Sequence, residues 1–219
     1  MSKDMTRRSF IKKTAVLGSG AVLLSSGTFI FNKKTSASND KKVKYGMVID
    51  NTKCISCGAC ITACQDRWGL PENESFIKLY NDADVGTQGG IKVSQCMHCE
   101  NAPCVRICPT QATYINEDGI VVMDGDKCVG CKGCIVACPY NARIWSDHFG
   151  YPEKCRLCDG YVQKGEQPAC VEICPVDART FGDLNDENSE ISQLIKERRP
   201  NALKAHLGTK PKIYYITQQ

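Results

Sequence analysis

The chain is predicted to adopt an α+β fold of short strands and short helices in which cysteine ligation, rather than a large apolar core, holds the segments together. Three observations support this prediction. Sixteen of the 219 residues are cysteine, whereas aromatic residues make up only 7% of the chain. Large aromatic side chains usually dominate a protein core. The candidate strands and most of the candidate helices are short and lie around the cysteine groups.

The cysteines form four groups of four, with none left over. The first and third groups share the spacing C-x2-C-x2-C-x3-C, the second has four residues in its middle gap, and the fourth has eleven. In chain order the groups are Cys54, Cys57, Cys60 and Cys64; Cys96, Cys99, Cys104 and Cys108; Cys128, Cys131, Cys134 and Cys138; and Cys155, Cys158, Cys170 and Cys174.

This spacing is typical of [4Fe–4S] ligation. Three thiolates two residues apart can surround one cubane, and the following x3 step starts a helical turn that directs the fourth sulfur to the other cluster of a pair. Three groups are followed by a proline, whose missing N–H costs nothing at that point: Pro109, Pro139 and Pro175. Glycines inside the loops permit tight turns: Gly58, Gly130 and Gly133. We therefore expect four [4Fe–4S] clusters, with all sixteen cysteines as iron ligands.

Two other uses of cysteine compete with this interpretation. A zinc site needs four ligands, usually in two C-x2-C pairs, and only the second and fourth groups resemble that arrangement. Disulfides suit an exported chain with an even cysteine count, but C-x2-C-x2-C runs place cysteines poorly for eight native bridges. Neither alternative accounts for the first and third groups.

The secondary structure is predicted to follow the cysteine groups. Strands are expected at Tyr45–Ile49, Ile91–Val93, Ile120–Met123, Ala142–Trp145 and Lys212–Ile216. Short helices are expected near Ala59–Cys64, Ala102–Ile107, Lys132–Ala137 and Ala169–Ile173, and a surface helix at Glu190–Arg198. Residues 65–95 are expected to form a long connector.

Residues 1–38 are predicted to be an export signal. Thr6-Arg7-Arg8-Ser9-Phe10-Ile11-Lys12 resembles the twin-arginine motif of Tat signals, and an apolar stretch from Thr14 to Phe31 follows it. That stretch is short and weakly apolar for a membrane span; cleavage and retention as an anchor both remain open. The leader carries seven Lys or Arg residues and one Asp, so the rest of the +4 chain has a formal net charge of −2. An acidic body argues against a nucleic-acid partner, and no nucleotide-binding motif is present.

Several motifs together resemble the four-cluster ferredoxin-like electron-transfer subunits of the dimethyl sulfoxide reductase superfamily. The matching segments are Cys96-Met97-His98-Cys99-Glu100-Asn101-Ala102-Pro103-Cys104, Cys128 to Arg143, Pro168-Ala169-Cys170-Val171-Glu172 and Phe181-Gly182-Asp183-Leu184. The resemblance covers about residue 45 to the C-terminus. It includes the exported iron–sulfur subunits of polysulfide, thiosulfate, tetrathionate and arsenate reductases and the iron–sulfur protein of formate-dependent nitrite reduction.

The resemblance implies tandem bacterial-type 2[4Fe–4S] ferredoxin-like modules with nested ligand pairing. One module would comprise residues 39–92 with 149–219, and the other residues 93–148. The implied ligand sets are Cys54, Cys57, Cys60 and Cys174; Cys64, Cys155, Cys158 and Cys170; Cys96, Cys99, Cys104 and Cys138; and Cys108, Cys128, Cys131 and Cys134.

The function implied by the resemblance is a relay of single electrons between a membrane quinone-reactive subunit and an exported molybdopterin catalytic subunit in anaerobic respiration. The implied location is the periplasm or the outer face of the cytoplasmic membrane. The alternative is an iron–sulfur carrier of a nitrite-reduction pathway or of a hydrogenase. No catalytic residue is predicted, because the sequence contains no convincing nucleophile–base set and sixteen ligands leave no open iron position in four cubanes.

Overall fold

The computed structural model describes residues 42–80 and 92–217, so the leader and residues 81–91 of the predicted connector lie outside the described residues. The strands are β1 (Tyr45–Asp50), β2 (Lys78–Leu79), β3 (Val93–Ser94), β4 (Thr113–Ile115), β5 (Val121–Met123), β6 (Ile144–Ser146), β7 (Tyr151–Glu153), β8 (Arg179–Asp183), β9 (Asn201–Ala202) and β10 (Ile213–Ile216). The helices are α1 (Ala59–Trp68), α2 (Pro103–Arg106), α3 (Gly133–Val136), α4 (Ala169–Glu172) and α5 (Glu190–Arg198).

A four-stranded sheet with the order β8-β1-β10-β9 joins the two ends of the described chain. The first strand, β1, pairs in parallel with β10, with Met47 opposite Ile213, and antiparallel with β8, with Met47 opposite Phe181. Because β1 is central and paired on both sides, its backbone groups are satisfied without solvent. The sheet therefore ties the segment before the first cysteine group to the segment after the fourth.

The two faces of this sheet contact different layers, as expected from the alternation of side chains along a strand. Met47, Ile49 and Tyr215 are fully buried on the face that packs against the cysteines. Val48 on the opposite face packs with Ile191 of α5. The sheet thus separates the cysteine-rich core from a small second layer formed by α5.

The remaining strands form three two-stranded hairpins: β2 with β3, β4 with β5, and β6 with β7. The first and third of these hairpins each contain strands from both predicted modules. The division into residues 39–92 with 149–219 and residues 93–148 stays a prediction.

The residues at the helix ends explain where the helices begin and end. The first, α1, follows Gly58 and precedes Gly69, both in the left-handed conformation that glycine tolerates. The second, α2, begins at Pro103, whose fixed φ suits the first helical position. The last, α5, is capped by the Ser189 hydroxyl, which accepts a hydrogen bond from the Ser192 N–H.

A buried carboxylate organises the chain after α1. Glu74 accepts hydrogen bonds from the Ser146 hydroxyl and from the backbone N–H of Asp147 (2.8 Å) and His148 (3.1 Å). Burial alone would raise the pKa of Glu74, but these donors lower it below its ordinary value. The carboxylate therefore fixes the start of the predicted connector against the β6–β7 turn.

The α+β class and all five predicted helices are confirmed, although α1 continues to Trp68. Four predicted strands correspond to observed ones with shifted ends: Tyr45–Ile49 to β1, Ile120–Met123 to β5, Ala142–Trp145 to β6 and Lys212–Ile216 to β10. The strand predicted at Ile91–Val93 is described only from residue 92, and β3 lies there at Val93–Ser94.

The described parts of the predicted connector, residues 65–95, contain more secondary structure than the sequence indicated. Helix α1 extends into this segment, and β2 and β3 pair with each other within it. The missed strands β2, β4, β7, β8 and β9 are short segments whose pairing depends on partners that the local sequence does not reveal.

Candidate iron–sulfur cluster sites

Cysteines from opposite ends of the chain line one mostly apolar cavity. Cys54, Cys57 and Cys60 of the first group surround it together with Cys174 of the fourth group. The packing of α1 against α4 brings these two groups together. Cys57 is exposed at the edge of this cavity.

A second mostly apolar cavity combines the second and third groups in the same way. It is lined by Cys96, Cys99 and Cys104 together with Cys138. Burial, followed by the charges of Cys96, Cys104 and Cys138, raises the pKa of Cys99 to about 12. The four sulfur atoms are therefore close enough to perturb one another.

The third predicted set, Cys64 with Cys155, Cys158 and Cys170, is buried throughout. Burial, and then the neighbouring thiolates of Cys170 and Cys158, raise the pKa of Cys64 to about 12. Burial raises the pKa of Cys155 well above its ordinary value, with contributions from Cys64 and Cys170. These thiols therefore lie around a common interior space.

The fourth predicted set, Cys108 with Cys128, Cys131 and Cys134, lies nearer the surface. Cys134 is buried and Cys131 is exposed. Burial raises the pKa of Cys134, and the neighbouring thiols of Cys104 and Cys128 raise it further. The packing of α2 against α3 brings the two groups together, as α1 and α4 do for the first set.

Left-handed backbone recurs at one position in every group. The residue before the second cysteine has a positive φ in each case: Ser56, His98, Gly130 and Leu157. Only one of these is glycine, so three side chains accept a conformation that is costly for them. Such residues turn the loop sharply between its first two ligands. The sequence indicated a tight turn at Gly130 but not at the other three positions.

Backbone donors point at the cysteine sulfurs. The hydrogen bonds run from Gly130 N–H to Cys128 Sγ (3.4 Å), from Leu157 N–H to Cys155 Sγ (3.4 Å), from Ala142 N–H to Cys138 Sγ (3.5 Å) and from Ala178 N–H to Cys174 Sγ (3.3 Å). Hydrogen bonds to sulfur are one of the means by which a protein sets cluster potential.

Two buried arginines provide a separate check on whether these sites suit an anionic cluster. Among the described residues, Arg143 Nε and Nη2 and Arg179 Nη2 are buried without a hydrogen-bond partner. A buried cationic donor is costly unless it is paired. Cluster sulfides ringed by thiolates would supply acceptors of the required charge, so the residues present fit [4Fe–4S] clusters. Within residues 42–80 and 92–217, no group of three or more His, Cys, Asp or Glu side chains could hold a single metal ion.

Three further polar residues lie beside the cysteine ligands in the sequence: His98, Arg106 and Lys132. His98 is fully buried, and its Nδ1 accepts a hydrogen bond from the Val121 N–H at 3.2 Å. Burial lowers the pKa of His98 well below its ordinary value. Lys132 is exposed and lies over the Trp145 ring at 4.4 Å, and Arg106 is also exposed. The assignment of all sixteen cysteines as iron ligands stays a prediction.

Comparison with known proteins gives the same result as the cysteine pattern. Two profiles, each described as a 4Fe-4S dicluster domain, match residues 46–109 and 89–184. The chain is 40% identical to the "Protein NrfC homolog" of Haemophilus influenzae, over 98% of this chain and 96% of that protein.

The chain belongs to the family of four-cluster iron–sulfur electron-transfer subunits. It is 41% identical to one chain of the polysulfide reductase of Wolinella succinogenes, over 79% of this chain and 94% of the relative. It is 34% identical to the arsenate respiratory reductase iron–sulfur subunit of a Shewanella species, over 80% of this chain and 96% of the relative. Like other members of this family, it carries [4Fe–4S] clusters that relay electrons, and the predicted four clusters agree with two dicluster domains.

The described part of the chain contains no helix that is long and apolar enough to cross a bilayer. The predicted Tat signal lies in residues outside the described ranges.

Proposed function

We propose that the sixteen cysteines hold four [4Fe–4S] clusters in the nested arrangement given above. The observation that carries this proposal is the cavity lined by Cys54, Cys57, Cys60 and Cys174, because it combines the first and last groups of the chain. The cavity lined by Cys96, Cys99, Cys104 and Cys138 repeats the arrangement for the two central groups. A pairing of neighbouring groups along the chain would not produce the first of these sets.

The clusters are proposed to form a single row. Cys60 lies near Cys170, Cys155 lies near Cys96, and Cys104 lies near Cys134, close enough in each case to affect the pKa of a thiol. This proximity supports a row that starts at the Cys57 set, passes through the Cys155 set and the Cys96 set, and ends at the Cys131 set. Exposed cysteines at the two ends, Cys57 and Cys131, give electrons a short path to partner proteins.

The proposed partners are a molybdopterin-containing catalytic subunit at one end of the row and a membrane quinone-binding subunit at the other. The names of several relatives, including those from polysulfide and arsenate reductases, describe subunits of reductase complexes. The chain itself would bind no terminal substrate. Its residues would hold the clusters at fixed spacing, exclude water from the two inner sets and tune the potentials by hydrogen bonds to sulfur.

Export through the Tat pathway to the periplasm or the outer face of the cytoplasmic membrane is also proposed. The support is the Arg7-Arg8 motif followed by the apolar stretch. A chain that needs four clusters to fold has a physical reason to be exported folded, since metal binding and folding are coupled.

The first test is the content of iron and acid-labile sulfide in the full chain purified without oxygen, with an EPR spectrum of the reduced protein. About sixteen iron and about sixteen sulfide per chain, with signals of interacting reduced cubanes, are expected. Zinc in place of iron would refute the cluster proposal. Purification with its native partners then tests the wider proposal: a complex that carries molybdopterin supports the reductase, and one that carries only cytochromes or a hydrogenase supports the alternative.

A further inference from the structure

Two arginines occupy matching positions in the two halves of the cluster-binding chain. Arg143 follows Cys138 by five residues and Arg179 follows Cys174 by five, and each is preceded by an alanine. The exposed fraction is 3% for Arg143 and 6% for Arg179. Buried arginines are uncommon unless they are paired, so a repeated pair requires an explanation.

The contacts of these arginines lack the usual counter-ion. Arg143 Nη1 lies 3.7 Å from Cys134 Sγ, and Arg179 Nη1 lies 3.7 Å from Cys170 Sγ. Arg179 also donates to Gln95 Oε1 at 2.7 Å. Among the described residues, neither guanidinium forms a salt bridge with a carboxylate. The cysteine sulfurs, which would be thiolates when they bind iron, are therefore the negative partners available to these arginines.

Each arginine is close to thiols of two predicted clusters. For Arg143, the thiolates of Cys104, Cys134 and Cys96 outweigh the effect of burial and raise the pKa. For Arg179, the thiolates of Cys170 and Cys60 raise the pKa in the same way. Cys104 and Cys134 belong to neighbouring sets in the proposed row, and so do Cys170 and Cys60. The cavities agree: Arg143, beside Cys134, also lines the cavity of the Cys96 set, and Arg179, beside Cys170, also lines the cavity of the Cys57 set. Each guanidinium therefore lies between two clusters.

A lysine occupies the remaining gap in the row. Lys154 is fully buried, directly precedes Cys155, and its Nζ donates to the Cys155 carbonyl at 2.9 Å. Its ammonium also lies close enough to Cys96 to lower the pKa of that thiol. Cys155 and Cys96 belong to the two inner sets. Each of the three gaps between successive clusters thus contains one buried cation.

We propose that Arg179, Lys154 and Arg143 are electrostatic positioning residues of the relay, one in each gap, and that each raises the reduction potentials of the two clusters it separates. This inference rests on the proposed ligand sets. One electron added to a cluster increases its negative charge by one, and a nearby buried cation stabilises that charge with little screening by water. A cation placed between two clusters raises both reduction potentials together, so the difference between the two potentials changes little.

The inference predicts an overlapping pattern in three neutral variants. R179Q lowers the potentials of the clusters held by the Cys57 set and the Cys155 set. R143Q lowers the potentials of the clusters held by the Cys96 set and the Cys131 set. K154Q lowers the potentials of the two inner clusters, held by the Cys155 set and the Cys96 set. We expect the equilibrium constant for one-electron reduction of each affected cluster to fall at least about tenfold, which corresponds to about 59 mV.

The measurement is an EPR-monitored redox titration of the full chain, purified without oxygen, after iron and sulfide contents have been shown to match the wild type. R106Q is the control, because Arg106 is charged and lies between two cysteine ligands but is exposed to solvent; its potentials should equal those of the wild type. R143K and R179K keep the charge and should keep most of the potential, whereas a purely packing role would not distinguish Lys from Gln.

The outcomes separate this inference from the proposed function. Fully loaded R179Q and R143Q with four unchanged potentials would overturn the role of the cations while leaving the four-cluster relay intact. A fall in one potential only, or an equal fall in all four, would also overturn it. If R179Q or R143Q fails to load its clusters, the matching Lys variant decides: a loaded Lys variant with a potential lowered at least tenfold in equilibrium constant contradicts the electrostatic role, and a wild-type potential supports it. If K154Q fails to load, K154R, which keeps the charge, decides in the same way. Loss of the clusters from the wild-type chain itself would instead refute the proposed function.

Discussion

Two regions of the molecule build similar cysteine loops on very different supports. The four-stranded region comprises β1, β8, β9 and β10 with α5, and it frames the first and fourth cysteine groups. The hairpin region comprises only β4 and β5, which pair over three residues each, beside the second and third groups. Beside each region, nevertheless, an alanine N–H donates to the last cysteine sulfur of the adjacent group: Ala178, just before β8, to Cys174, and Ala142, just before β6, to Cys138. The loop geometry therefore does not depend on the size of the sheet beside it.

The two regions differ in what stabilises them. In the four-stranded region a sheet and a helix bury aliphatic side chains on two faces. In the hairpin region Ile120, Val121 and Val122 are buried in the same core as the cysteines, but the sheet has only two strands of three paired residues and, within the described ranges, no helix covers a second face. We infer that the clusters supply most of the stability of the hairpin region and only part of it in the four-stranded region.

Removal of iron should have the largest effect and should separate the two regions. We expect the apo chain to lose cooperative unfolding, because binding of the metal is coupled to folding. Amides of β4 and β5 should exchange at the rates of an unfolded chain, whereas those of β1 and β10 should keep measurable protection. Hydrogen exchange with mass spectrometry measures both. A cooperative, native-like melt of the iron-free protein would contradict this expectation.

Substitution of single ligands should remove one cluster at a time and reveal which cysteines share it. C174S and C57S should each lower the iron content by about four per chain, and the double variant should lose no more than either single variant. C174S combined with C138S should lose about twice as much, because the two residues belong to different sets. C174S with C155S is the matched control within one cysteine group: an additive loss supports nesting, and a shared loss supports ligation within the group.

Truncation of a buried side chain in the sheet should have a smaller effect. Ile213 is fully buried between the sheet and the cysteine core, so Ile213→Ala should lower the free energy of unfolding by about 2–5 kcal/mol. In the hairpin region, Val121→Ala should cost about 2 kcal/mol. Anaerobic denaturation followed by far-UV circular dichroism and by the visible absorbance of the clusters compares the two. The division into two regions would be contradicted if Ile213→Ala and Val121→Ala lost cluster absorbance equally while both kept their circular dichroism signal.

Loss of the α5 cap should have the smallest effect. Ser189→Ala removes the acceptor of the Ser192 N–H and should lower stability by about 1 kcal/mol. Because α5 lies on the face of the sheet away from the cysteines, iron content and reduction potentials should not change. Ser189→Thr, which keeps the hydroxyl, is the control. A shift in any potential would show that the second layer influences the clusters after all.

Much of the candidate site follows directly from the order of residues in the chain. The spacing of the cysteines predicts the type of cofactor, because loops with two-residue gaps can surround a cubane in few ways. The proline after Cys108, Cys138 and Cys174 and the helical turn before it are local features, so α2, α3 and α4 could be predicted with nearly correct ends. Likewise, the surface helix predicted at Glu190–Arg198 corresponds to α5.

Features that depend on distant partners could not be predicted in this way. Strand β8 was missed because its residues become a strand only by pairing with β1, which lies far away in the chain. Similarly, nothing in the connector sequence indicated that Glu74 reaches the β6–β7 turn and fixes this segment there. In both cases the stabilising partner is remote in sequence.

By itself, the sequence predicted sixteen cysteine ligands and determined the α+β class and the position of each short helix, because these depend on neighbouring residues. Only the tertiary structure decided which cysteines from different groups share a cavity and that Arg143, Lys154 and Arg179 are buried. Local sequence marks these three residues as ordinary cations. Their burial is decided by the thiolates that folding brings around them, since the cost of removing a charge from water is offset only by the opposite charges it meets there.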